Sequence, residues 1–517
     1  MFAAQSAPPS GGAALGEIVI ALGIALAVAI PVGWFVWREL AGKPTVIGRA
    51  ADRIAAKEGM PRWVSLPTYG LIAALLTAGW GVWWDVPIHM QNGRDEGPLA
   101  NPSHYPIYLA LLAIFALGII TATLAYKQPL PQRALRVFGV WRVPMGAVLI
   151  VAAGTIALLG FPADDLWHRL FGQDVTEWGP THIMMIGGAV TAPLALPLLR
   201  AEAAAVGYRR RGLLGKISDT IMIGLCIVPF AFLMEFDFGV PQFPAATQFI
   251  IAGFLAGWVF TATRRFFGPG GALIGWGVYA VAHALLFLTI LPLPGVLDGR
   301  FLLLLPSAVL VEVVALLIKP KRGYVFGVVA GLTAGSLGML AEWVWSGWFM
   351  PLPQPFPASA LPLLIGAGTA AGLAGGLLGV WHYRQLESIG GNPDGGVQYD
   401  GLARLLRTLR LPALVEPGRT AFGRWRAEML ERTGEPEPAG SGFGKRHGLG
   451  LTGLLLFVAL MTYFAPPGDE RGMTATVDLS QDCDGTTFGC FATVTVTVNP
   501  VDAADDAIWL YGLAWQG

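Results

Sequence analysis

Long apolar runs separated by short polar turns make up most of the chain, and each run approaches the roughly 20 residues a helix needs to cross a hydrocarbon layer. On this pattern spans fall near residues 16–37, 65–84, 105–126, 143–163, 183–199, 217–236, 246–262, 271–292, 301–318, 323–342, 359–381 and 448–464. The expected fold class is an all-α polytopic membrane protein: about twelve transmembrane helices arranged as repeated helix hairpins, with a small C-terminal extracytoplasmic β segment. Residues 1–15 lack the basic stretch of a cleaved leader, so 16–37 reads as a retained helix.

Basic residues occupy every second loop. Arg38 to Arg62 follow the first run, Lys127 to Arg142 the third, Arg200 to Lys216 the fifth, Arg264 and Arg265 the seventh, Lys319 to Arg322 the ninth, and Arg384 to Arg446 the eleventh. Positively charged loops stay in the cytoplasm, which turns the intervening loops and both termini outward. The domain plan that results is an extracytoplasmic tail over 1–15, a transmembrane domain over 16–381, a cytoplasmic connection over 382–446, a last helix over 447–464 and an extracytoplasmic segment over 465–517.

Two parts of this plan depart from the apolar rhythm. In the connection, Leu402, Leu405, Leu406 and Leu409 fall on one helical face with Arg404, Arg407 and Arg410 towards the other, a basic amphipathic helix for the inner membrane surface. Past residue 465 the alternation ATVTVTVNP predicts strands, with Cys483 and Cys490 flanking a turn.

Composition sharpens the class. Hydrophobic residues are 54% of the chain and charged residues only 13%, against about 25% charged in soluble domains. The expected location is the cell inner (plasma) membrane and the expected partner the lipid bilayer, with other membrane subunits or a homo-oligomer as candidate further partners. A formal net charge of +0 gives no ground for a nucleic-acid partner. Three cysteines are too few for a thiolate site, so any metal takes N and O ligands.

Candidate chemistry is concentrated in two outer turns, in hairpins 65–126 and 143–199. DVPIHMQNGRDEGPLANPSH runs from Asp85 to His104 and DDLWHRLFGQDVTEWGPTH from Asp164 to His182. With one gap, Asp85, His89, Asp95, Pro102 and His104 align with Asp164, His168, Asp174, Pro180 and His182, and four of the seven histidines fall in these copies. Asp-x3-His at a helix end stacks both side chains on one face, one turn apart. The second histidine follows proline at the head of the returning helix, which can fold it back on the first pair. Each copy therefore assembles a metal site of two histidines and one aspartate: Asp85, His89 and His104 in one, Asp164, His168 and His182 in the other. Two neutral imidazoles and a carboxylate suit copper, zinc or Fe(II). Asp95 and Asp174 are placed to orient an imidazole, and Asp165 competes with Asp164 as ligand. The competing reading is a polar network at the membrane boundary, with Trp83, Trp84, Trp167 and Trp178 as an aromatic belt. The later outer turns carry Glu235, Asp237, Asp298 and Glu342 without paired histidines, and those acids are expected to be solvated. His283, within an apolar run, reads as a packed or hydrogen-bonded helix residue.

At these residues the sequence resembles the C subunit of the copper membrane monooxygenases, the particulate methane and ammonia monooxygenase family. That family carries an Asp-x3-His pair with a further His downstream, then an Asn-x3-His set with its own second His. The resemblance covers about residues 65–200; Asp164 stands where the family's second set has Asn, and the extra hairpins and β segment have no counterpart in it. It implies copper as the cofactor, at the outer face, with oxygen activation and hydroxylation of a small apolar molecule as the further step. The alternatives are a copper-handling or transport protein and a non-catalytic structural subunit.

Overall fold

The computed structural model describes residues 13–92, 99–137, 141–171, 177–225, 228–237, 245–290, 302–349, 358–390, 474–482 and 491–499. Helices dominate. In chain order they are α1 (Leu15–Leu40), α2 (Val46–Glu58), α3 (Arg62–Asn92), α4 (His104–Leu124), α5 (Met145–Phe171), α6 (Pro180–Thr191), α7 (Ala195–Ala205), α8 (Gly212–Leu225) and α9 (Met234–Asp237), followed by α10 (Ala245–Phe267), α11 (Gly271–Ile290), α12 (Leu305–Leu317), α13 (Tyr324–Thr333), α14 (Met339–Phe349) and α15 (Leu361–Gly390).

Among the described residues, nine helical stretches are long and apolar enough to cross a membrane: Leu15–Leu40, Arg62–His89, His104–Leu124, Met145–His168, Pro180–Ala205, Ala246–Phe267, Gly271–Ile290, Tyr324–Gly347 and Ala358–Ile389. This is the signature of a multi-pass membrane protein. Two further runs are shorter in the structure than their apolar patterns. In the run at 217–236 the described residues form α8, a 3₁₀ turn over Val228–Leu233 that contains Pro229, and the single turn α9; that at 301–318 supplies only the 13 residues of α12. Residues 1–12, the run at 448–464, the amphipathic connection with Leu402 to Arg410, and Cys483 and Cys490 lie outside the described residues.

The first two basic loops hold structure that the apolar pattern does not announce. α2 is set by the Thr45 hydroxyl, which accepts the Gly48 amide at 2.9 Å, and is closed by Gly59 at φ +72°, a left-handed stop that glycine adopts freely. The second loop makes a small antiparallel hairpin, β1 (Leu135–Val137) on β2 (Trp141–Val143). In the separate C-terminal unit, residues 463–517, β3 (Thr474–Asp482) pairs antiparallel with β4 (Phe491–Asn499), with Thr474 opposite Asn499.

Packing falls into two main apolar clusters. One gathers Trp63, Leu71, Leu111, Ile114, Ile150 and Leu196 from α3, α4, α5 and α7. The other gathers Phe236, Phe249, Phe260, Phe326 and Met339 from the later helices. A smaller cluster of Trp83, Met234, Leu286 and Ile290 joins α3 to α9 and α11. Buried and half-buried carboxylates hold helix starts in place, where the first amides lack intrahelical partners. Glu202 on α7, fully buried, accepts the Met145 and Gly146 amides of α5 at 2.7 and 3.0 Å. Glu312 on α12 accepts the Gly270 and Ala272 amides and pairs with Arg264 at 2.6 Å. α15 lies so close to α10 that a Cβ on Gly253 would stand 2.6 Å from the Gly368 carbonyl oxygen.

Candidate metal centre

α3 extends through Asp85 to Asn92 and α5 through Asp164 to Phe171, so in both copies the Asp and the first His share a helix face. The return differs in detail. α6 begins at Pro180, whose missing N–H costs nothing at a helix start, while α4 begins at His104 after the Asn101–Ser103 turn. Both routes bring the second histidine back to the carboxylate.

In the first copy, Asp85 Oδ1 lies 3.5 Å from His89 Nε2 and 2.9 Å from His104 Nε2, and the rings stack with centroids 5.8 Å apart. In the second, Asp164 Oδ1 lies 3.6 Å from His168 Nε2 and 3.3 Å from His182 Nε2, with the rings edge to face at 6.0 Å. Within each group all three ligand atoms fall within 4.8 Å of one another. A tetrahedral ion with bonds of ~2.0–2.1 Å holds neighbouring donors ~3.3 Å apart. The N···O separations of the first copy bracket that value and those of the second begin at it, and the donor set of two imidazole nitrogens and a carboxylate suits copper, zinc or Fe(II). The second site is the drier: Asp164 and His168 are buried, while Asp85, His89 and His104 are half-buried.

Each carboxylate has a further donor that explains the Ser/Thr-His step of the repeat. The Ser103 hydroxyl donates to Asp85 Oδ1, joined by Asn101 Nδ2 at 3.2 Å, and the Thr181 hydroxyl donates to Asp164 Oδ1. A carboxylate buried without such donors costs several kcal/mol, on the order of its desolvation; here its oxygen is oriented towards the imidazoles.

A second feature of the repeat emerges only in three dimensions. Gly81 stands one turn before Asp85 and Gly160 one turn before Asp164. A Cβ on Gly81 would lie 2.7 Å from Ile107 Cγ1 and 3.0 Å from the Ser103 carbonyl oxygen; on Gly160 it would lie 2.6 Å from Met185 Cγ and 3.1 Å from the Thr181 carbonyl oxygen. In each hairpin the glycine thus admits the returning helix at the residue that precedes the second histidine. The duplicated unit is Gly-x3-Asp-x3-His with Ser/Thr-His, and the glycine was available in the sequence at equal spacing in both copies.

Other expected site residues fall elsewhere. Asp165 accepts the Ala13 amide at 2.7 Å, a contact between the start of the first helix and the second hairpin, while Asp164 is the carboxylate of the His168 and His182 group. Asp95 and Asp174 lie outside the described residues. Trp83 and Trp178 do not form a lipid-facing belt: both are buried, Trp83 against Leu286 and Trp178 stacked on Phe232 at 5.9 Å.

The later outer acids also depart from expectation. Asp237 and Glu342 are buried at 1% and 2% exposure rather than solvated. Glu342 accepts the Leu303 and Leu304 amides at 2.6 and 2.9 Å, and Leu304 adopts φ +52° at the start of α12. Asp237 meets His283 Nε2 at 3.2 Å, and His283 is hydrogen-bonded, as its apolar setting requires. The side chain of Glu235, and Asp298 as a whole, lie outside the description. Comparison of the chain with protein-family models, curated proteins and solved structures gives no match.

Proposed function

We propose that this chain is a membrane-embedded copper protein with two sites at its outer face, each built from two histidines and one aspartate, acting as an oxygen-activating monooxygenase subunit on a small apolar substrate. The observation that carries the metal reading is the recurrence, in two hairpins, of two imidazole Nε2 atoms around one carboxylate oxygen at separations suited to a shared ion. A hydrogen-bonded network has no need to repeat the same atoms, hydroxyl donor and glycine in both places. Copper bound there supplies redox chemistry at a position the protein leaves partly uncoordinated.

The chain's own part is to hold three ligands and leave the rest of the coordination sphere to water, oxygen or substrate. Asp85 and Asp164 supply the anionic ligand, and the Ser103 and Thr181 hydroxyls fix which oxygen faces the histidines. The exposed Leu166 and the half-buried Met184 and Met185 near the second site, and the half-buried Val86, Ile88 and Tyr105 near the first, give an apolar approach for a substrate dissolved in lipid, while Ile183 is packed in the core. The resemblance to the C subunit of the copper membrane monooxygenases supports the same reading. So does the alternation of basic loops, which fits a plan of about twelve spans built from repeated hairpins, with both sites and both termini outside.

The test is metal analysis of purified protein after copper loading, followed by oxygen uptake with a reductant and a short alkane or ammonia. Two copper ions per chain, each lost separately in Asp85→Ala and Asp164→Ala, together with product formation abolished in His168→Ala, are the expected results. Bound copper with oxygen uptake equal in wild type and His168→Ala would place the protein among copper-handling proteins instead. No bound metal at all would sink the metal reading.

A further inference from the structure

Against Trp83, two residues before Asp85 on α3, lies a buried pair of titratable side chains that belongs to neither His/Asp group. Asp237 at the end of α9 and His283 on α11 are 1% and 6% exposed and come from different helices. His283 Nε2 stands 3.2 Å from Asp237 Oδ2, and His283 Nδ1 stands 3.1 Å from the carbonyl oxygen of Tyr279, one turn earlier. The other Asp237 oxygen accepts the Leu302 amide at 3.3 Å, and the Tyr279 hydroxyl donates to the Leu302 carbonyl at 3.0 Å. Trp83, two residues before Asp85 on α3, presents its ring edge-on to His283 with centroids 5.3 Å apart.

Hydrogen-bond valence decides where the protons are. A carbonyl oxygen only accepts, so His283 Nδ1 must carry hydrogen. In a neutral imidazole that leaves Nε2 with a lone pair, and a carboxylate opposite it is also acceptor-only. The Nε2···Oδ2 contact is a hydrogen bond only with one proton between the two atoms, either on the ring, as imidazolium and carboxylate, or on the carboxyl, as neutral imidazole and acid. We propose that Asp237 and His283 form a buried proton-binding site, holding one exchangeable proton between Nε2 and Oδ2 and releasing it as a single unit.

The setting favours retention of that proton. Two facing lone pairs at this separation repel in a low-dielectric interior, and a bare buried carboxylate is costly. The titratable groups facing the pair are Tyr279, whose ring centroid lies 4.2 Å from that of His283, and Glu342 on α14, which adds a like charge when ionised. Trp83 on α3 and Phe287 on α11 enclose the imidazole without adding charge. Ionisable residues inside a membrane domain are expensive and usually serve proton or ion movement.

The experiment uses the full-length protein in lipid nanodiscs. Infrared difference spectra across a pH titration report carboxyl protonation, and nitrogen NMR of 15N-labelled histidine reports which ring nitrogen of His283 bears hydrogen. Wild type should show a one-proton step, with Nδ1 of His283 protonated on both sides of it, and the step should be lost in Asp237→Asn and in His283→Gln alike. Persistence of the step in either variant, its absence from wild type, or an Nδ1 without hydrogen would overturn the proposal. If His283→Gln does not fold, Asp237→Asn, which keeps the shape of the carboxylate, decides together with the wild-type NMR. None of these readouts requires metal, so failure of the copper reading leaves them unaffected.

Discussion

Tyr108 on α4 and Phe161 on α5 meet with ring centroids 4.9 Å apart and planes inclined at 38°. Tyr108 lies one turn past His104, and Phe161 lies one turn before Asp164, so the pair joins the two hairpins just beneath their His/Asp groups. The Tyr108 hydroxyl also donates to the Ala21 carbonyl of α1 at 3.2 Å, which ties the first helix to the same point.

This contact should be measurable as coupling. A double-mutant cycle of Tyr108→Leu and Phe161→Leu is expected to give an interaction of about 0.5–1.5 kcal/mol, the usual worth of an aromatic pair beyond its buried area. Strictly additive denaturation energies would mean that the hairpins are joined elsewhere.

The glycines opposite the returning helices should tolerate no side chain. Gly81→Val and Gly160→Val force a Cβ against the Ser103 or Thr181 carbonyl, and a cost of about 1–3 kcal/mol is expected from such overpacking. Metal should be lost only from the group in the same hairpin, as read by copper stoichiometry on each variant. Loss from both groups at once would point instead to a general failure of folding.

Removing the hydroxyl that orients each carboxylate should weaken metal binding without abolishing it. Ser103→Ala and Thr181→Val are each expected to lower affinity at their own site roughly 10–100-fold, and Thr181→Ser should restore it. Competition titration against a chelator of known affinity measures the change. An unchanged affinity would show that the histidines alone set the carboxylate.

Glu202 should matter for stability rather than for chemistry. Glu202→Ala leaves the Met145 and Gly146 amides buried at the head of α5, at a cost of about 1–3 kcal/mol. Denaturation in detergent reads this directly, and a variant as stable as wild type would require another acceptor for those amides.

Copper should itself stabilise the fold. Binding that is confined to the native state adds about 2.7 kcal/mol at a free concentration one hundred times the dissociation constant. The melting transition is therefore expected to fall on chelation in wild type and to respond less in the Asp85→Ala, Asp164→Ala double variant. An equal response in both would place the stabilising metal elsewhere.

Composition and apolar run length by themselves determined that the chain is helical and built to cross a membrane, because a span has to satisfy its own backbone and needs a fixed minimum of apolar residues. The Asp-x3-His spacing likewise determined one face of each His/Asp group, since residues four apart on a helix are neighbours whatever surrounds them. Closure was a different matter. Whether His104 and His182 return to those carboxylates depends on the path of the turns and on how closely two helices approach, which Gly81 and Gly160 govern through space. The division of 217–236 into α8, a 3₁₀ turn and α9 follows its local chain, with Pro229 inside the run, but its consequence is tertiary: Asp237 comes to lie against His283. For Asp237 and Glu342 the deciding partners are the Leu302, Leu303 and Leu304 amides and His283, remote in sequence. No local pattern distinguishes an acid that faces water from one that receives a buried amide, because the difference lies wholly in what the folded chain brings to it.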